Sequence, residues 1–92
     1  MDFLTENEVK SIASKIIKKQ ISIMGSQISL AKARQIKSLE INDDGSVLNI
    51  SGRPKEALQN LVNVYLSLSG DVVKRTIKPY LKNHPDIVVL DI

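Results

Sequence analysis

His84 is the only histidine of the chain and stands in the run Asn83-His84-Pro85-Asp86. Imidazole can serve as a general base or a metal ligand, but a metal site needs further nitrogen or sulfur donors at fixed spacing. The chain has no cysteine and no second histidine, so a Cys/His zinc site and a thiolate nucleophile are both excluded. Turn chemistry explains the same four residues, because Asn and Asp bond local backbone and Pro fixes φ. Serines are frequent, yet none lies in a G-x-S-x-G elbow, and the four glycines stand singly, so no phosphate-cradling loop is spelled out. The run EINDDGSVLNIS, residues 40–51, sets acids before a glycine as a calcium loop does. Its first ligand would be Glu40, however, and its twelfth Ser51, where a bidentate Glu is required. No catalytic, metal or cofactor residue is assigned, and the chain reads as non-enzymatic.

Charge is the remaining chemical resource. The 92 residues carry a net charge of +3 with 42% hydrophobic and 25% charged residues, the mix of a folded domain and not of a disordered chain. Between Glu8 and Glu40 there is no acid, while Lys10, Lys15, Lys18, Lys19, Lys32, Arg34 and Lys37 all fall there. A second acid-free run holds Lys74, Arg75, Lys78 and Lys82, which form a helical stripe and are the candidate nucleic-acid contacts. Two features limit that reading. The aromatics are only Phe3, Tyr65 and Tyr80, too few to stack on bases, and lysine outnumbers arginine ten to three, which suits diffuse phosphate contact over base reading.

The elements that position these residues follow from pattern. Thr5 and Glu8 form a capping box, with Leu4 and Val9 as its staple. Val9, Ile12, Ala13, Ile16, Ile17, Ile23 and Met24 then predict a helix with one apolar stripe, and Gly25 ends it. Ser26 caps a shorter second helix. Leu39 and Ile41, then Leu48 and Ile50, alternate with polar residues around Asp44-Gly45. A two-residue type I′ turn there pairs Ile41 with Leu48 and Leu39 with Ile50, whereas a three-residue loop would break the match.

Pro54 opens a third helix whose apolar residues span a wide arc and whose remaining face, Gln59, Asn60, Asn63 and Ser67, carries no charge. A solvent-facing helix normally carries Lys and Glu there, so this helix is central or covered by a partner. Gln59, Asn60, Asn63, Leu66 and Ser67 are the candidate protein interface, in a homo-oligomer or with another protein. Asp71 caps a fourth helix, which Pro79 kinks or restarts. Residues 87–92, IVVLDI, read as a last strand.

An internal repeat is suggested by the 45-residue offset from Gly25 to Gly70, which aligns Ile16 with Leu61, Ile17 with Val62 and Ile21 with Leu66, and defines halves 5–41 and 50–90. Six residues after Gly70, where a helix-turn-helix needs an apolar core position, stands Thr76, so Gly70 reads as a corner between packing helices and not as a recognition turn. The expectation is one α+β domain over residues 1–92: two helix–Gly–helix units, a central hairpin, and a C-terminal strand completing a small, about three-stranded sheet. The acidic N-terminus does not resemble a secretory signal, and no run approaches the about 18 apolar residues of a membrane span, so a cytoplasmic location is expected. The function expected is binding or regulation through protein–protein contacts or self-association, with sequence-independent nucleic-acid binding as the alternative. A lysine-faced helix 1 lying on an anionic membrane surface ranks last, because it lacks aromatic anchors.

Overall fold

The computed structural model describes residues 4–68 and 70–89. Four α-helices and an antiparallel hairpin follow in the order α1 (Glu6–Met24), α2 (Ser26–Ala33), β1 (Leu39–Ile41), β2 (Val47–Ile50), α3 (Pro54–Leu68) and α4 (Gly70–Ile77), and a 3₁₀ helix, Lys78–Leu81, continues α4. The fold class is α+β. The Cα atoms span 35 × 28 × 17 Å, and the short axis admits two layers of elements whose axes lie about 8–10 Å apart. α1 is the hub, packing on α2, β2, α3, α4 and the 3₁₀ helix, while α3 packs on α1, α2 and α4. No helix among the described residues is long and apolar enough to cross a membrane.

Capping sets α1. The Glu8 amide donates to Thr5 Oγ1 at 3.1 Å and the Thr5 amide donates to Glu8 Oε1 at 3.4 Å, the reciprocal box that the sequence spells. Gly25, at φ +88°, closes α1 by donating its amide to the Ile21 carbonyl at 2.9 Å. The same glycine is the N-cap of α2, so Ser26 is a helical residue and not the cap, and no side chain caps α2. Asp71 likewise lies inside the first turn of α4, which begins at Gly70. The two corners differ in backbone: Gly25 has a positive φ and Gly70 does not.

The stripe of α1 buries Val9, Ile12, Ala13, Ile16, Ile17 and Gln20. Ile23, expected on that stripe, is 42% exposed in the last turn, and the polar Gln20 is wholly buried. Its Nε2 donates to Thr76 Oγ1 at 2.9 Å, which ties α1 to α4, while its Oε1 is buried without a partner. Across the core, Tyr65 of α3 donates its hydroxyl to the Ser29 carbonyl of α2 at 2.8 Å. Burial pushes the Tyr65 phenol pKa up.

The hairpin forms where expected, with a different turn. Gly45 donates its amide to the Asn42 carbonyl at 3.0 Å and Asn42 donates to the Ser46 carbonyl at 2.8 Å, leaving Asp43, Asp44 and Gly45 as a three-residue loop. A type I′ turn needs a positive φ at Asp44 as well, and no non-glycine residue here has one. Asp44 instead accepts the Ser46 amide at 2.8 Å, a bond that holds its carboxyl below the usual carboxylate range. The register moves accordingly. Ile41 faces Val47 and not Leu48, and Leu48 becomes an extra, half-exposed residue in β2. That bulge restores Leu39 opposite Ile50, so Leu39, Ile41, Val47 and Ile50 are the buried set.

The sheet of the described residues has two strands, not three. Ile87, Val88 and Val89 are not strand; Leu90, Asp91 and Ile92 lie outside the described residues. The reason is that Val88 finds both of its backbone partners on the side chain of Gln59 in α3, so no strand edge is needed.

Candidate binding groove

α4 is short because Pro79 has no amide to donate and cannot extend it. The chain tightens into the 3₁₀ helix at Lys78 and then reverses in two turns. The His84 amide donates to the Leu81 carbonyl at 2.9 Å, and the Ile87 amide donates to the His84 carbonyl at 3.1 Å. Pro85 takes the second position of the latter turn, which suits its fixed φ. The segment therefore folds back beside α4 and encloses an open groove of about 550 Å³.

The groove has a floor and a rim of different chemistry. Leu81, Ile87 and Val89 join Pro79 and Pro85 as its apolar lining, and Leu81 and Ile87 belong to the buried core. Arg75, Lys78 and Lys82 also line it and are exposed. Arg75 lies in α4, Lys78 opens the 3₁₀ helix and Lys82 follows it, and all three reach the groove. No carboxylate lies among the described residues that line the groove. His84 completes the lining, half-buried, with Nδ1 inaccessible and unbonded.

Three of the four expected nucleic-acid contacts thus come together, over an apolar floor that contains no aromatic ring. Lys74, the fourth, is half-buried and does not line the groove. The other basic run is divided up by the fold. Lys10 pairs with Glu6 at 3.4 Å, and Arg34 bonds both Asp43 at 2.7 Å and the Ile41 carbonyl at 3.1 Å, fastening α2 to the hairpin.

The uncharged face of α3 divides too. Leu66 is buried at 5% exposure and Gln59 is half-buried, bonded to Val88 and Asn63; Asn60, Asn63 and Ser67 are exposed. Ser67 donates its hydroxyl to the Val64 carbonyl of its own helix at 2.6 Å.

No protein family, curated protein or solved structure matches the chain.

Among the described residues no three His, Asp or Glu side chains gather as a metal cluster. What the arrangement can do is bind: the floor takes apolar side chains out of water, and the rim attracts negative charge. The rim cations stand out in the sequence as an acid-free basic run. The floor does not, because Ile87 and Val89 join it only after the chain reverses at His84-Pro85.

Proposed function

We propose that this chain is a non-enzymatic binding module whose groove takes an acidic segment of a partner protein that carries apolar anchors. The observation that carries the reading is the juxtaposition of Arg75, Lys78 and Lys82 with the apolar floor of Leu81, Ile87 and Val89. A purely electrostatic phosphate site has no use for that floor, and a purely apolar ligand has no use for the rim. A peptide alternating acids with Leu or Ile side chains satisfies both.

Single-stranded nucleic acid is the competing occupant, since the same cations suit phosphates. The floor disfavours it, because bases stack best on Phe, Tyr and Trp rings and none of these is among the described residues that line the groove, where the aromatic ring present is the half-buried imidazole of His84. The exposed part of the α3 face, Asn60, Asn63 and Ser67, offers polar contact area for self-association.

The test is fluorescence anisotropy with a short labelled peptide alternating Glu and Leu, across a range of salt. A peptide alternating Lys and Leu and a single-stranded oligonucleotide serve as comparators. Saturable binding of the acidic peptide alone, weakened by salt, supports the reading. Tighter binding of the oligonucleotide replaces it with the nucleic-acid reading. Sedimentation at rising concentration, compared with the Lys78→Glu variant, shows whether the acidic partner is a second copy.

A further inference from the structure

The far wall of the groove is the segment 84–89, and one side chain of α3 bonds its backbone on both sides of Val88. The Val88 amide donates to Gln59 Oε1 at 2.7 Å, and the Val88 carbonyl accepts from Gln59 Nε2 at 2.7 Å. This reciprocal pair is what a hydrogen-bonded partner residue on a neighbouring strand would supply. Ile87, one residue earlier, is buried in the core, and Val89, one residue later, lines the groove, so the pair fixes the segment between an anchor and a wall. The Lys55–Asp86 contact, at 3.8 Å between exposed groups, adds little.

We propose that Gln59 is a positioning residue for the groove, so that affinity for the acidic, apolar peptide follows the closure of its clamp on Val88. The inference rests on the peptide reading above and assigns that site its regulation. Hydrogen bonds near the surface have small net strength, so the clamp opens far more often than the core unfolds. An open clamp releases Val89 and removes one wall. If the peptide binds the closed form, binding must by linkage close the clamp further, and opening it must weaken binding by the populated fraction.

The experiment pairs amide hydrogen exchange at Val88 with anisotropy of the labelled Glu/Leu peptide. In the unaltered chain the Val88 amide is protected, and saturating peptide raises that protection. In Gln59→Leu, Val88 exchanges as an open chain and the Kd rises about tenfold, while the amides of Ile16 and Leu61 keep their protection. Val88→Pro removes the donor without touching α3 and gives the same loss, which separates the clamp from any misfolding of the helix. Lys55→Ala leaves the clamp intact and changes the Kd by less than about threefold.

If Gln59→Leu and Val88→Pro bind the peptide as the unaltered chain does, the wall does not depend on the clamp. The inference then falls while the groove reading stands. An unprotected Val88 in the unaltered chain overturns it equally. Failure of the unaltered chain to bind the peptide, with Val88 protected, overturns the groove reading and the coupling together.

Discussion

The Ser14 hydroxyl of α1 accepts the Val47 amide of β2 at 2.9 Å, joining helix to hairpin at the residue next to the Leu48 bulge. The same hydroxyl donates to the Lys10 carbonyl at 2.6 Å, so it is held in place by its own helix while it receives the strand. Val47 follows the hydrogen-bonded Asn42–Ser46 position, so its amide points off the outer edge of the two-stranded sheet, and a side chain from the hub helix takes it.

Ser14→Ala should therefore destabilise the protein by about 1–2 kcal/mol, the cost of leaving a largely buried amide unbonded. Urea unfolding measures it. A loss below about 0.3 kcal/mol would mean that Val47 finds another partner.

Two glycines, Gly45 and Gly70, should respond oppositely to alanine. At Gly45, φ is +94° and an added Cβ would meet Ile21 Cδ1 at 2.9 Å and Ile17 Cγ2 at 3.2 Å. Gly45→Ala combines left-handed strain with a steric overlap against α1 and should cost about 2–4 kcal/mol. At Gly70, φ is not positive and, its chain neighbours and own helix backbone aside, no atom lies within 4 Å of an added Cβ, so Gly70→Ala should gain up to about 1 kcal/mol. Thermal unfolding of the two variants decides it, and equal losses would refute the contrast.

How much of this could be read beforehand depends on what each residue's neighbours decide. Thr5, Gly25, Pro54 and Pro79 act through local backbone chemistry, and each ends or begins a helical segment as its type demands. The hairpin register turned on a competition invisible to alternation alone. The Asp44 carboxylate takes the Ser46 amide, the loop gains a residue, and Val47 displaces Leu48 from the inner face. Gln20 was hidden for a related reason: helical spacing puts it on the α1 stripe, but only Thr76, far along the chain, shows what its amide does there. Gln59 is the clearest case: a helix position that is neither charged nor apolar reads as surface for a partner, while its amide bonds the chain's own Val88 backbone.

Removing the half-satisfied amide of Gln20 should help. Gln20→Met keeps the volume and deletes a buried, unbonded Oε1, while Thr76 keeps its bond to the Val73 carbonyl at 2.9 Å. A gain of about 1 kcal/mol is expected in urea unfolding. A loss of similar size would show that the Gln20–Thr76 bond outweighs the orphaned oxygen.

Tyr65 sets an alkaline limit. Its phenol pKa is raised in the native state, so the unfolded chain ionises first, near pH ~10. The stability it contributes is fully present below that pH and is lost as pH rises toward the native value, by about 1.4 kcal/mol per pH unit. Tyr65→Phe should be the weaker protein at neutral pH by about 1 kcal/mol, having lost its bond to the Ser29 carbonyl, which keeps only its helical partner, the Ala33 amide. Above pH ~10 the gap should close, because phenylalanine has no proton to lose. A gap that stays constant from pH ~7 to pH ~12 would rule the linkage out.

Rim charge should set the salt dependence of peptide binding. Arg75, Lys78 and Lys82 are exposed, so each single alanine substitution should weaken the acidic peptide only about two- to fivefold. The triple variant should flatten the response to salt. A salt response as steep as that of the unaltered chain would place the electrostatic contact elsewhere.

Gly25 ends one helix and begins the next, which leaves no spacer between α1 and α2. A junction of that kind has no slack to absorb a change in chain length. One residue inserted within α2 ahead of Ser29 turns everything after it by about 100°, carrying Leu30 and Ala33 out of the core and Ser29 away from Tyr65. Insertions and deletions in homologous chains should therefore gather in surface connections such as the one between β2 and α3, where Gly52 has open space around it, and avoid the corner at residue 25.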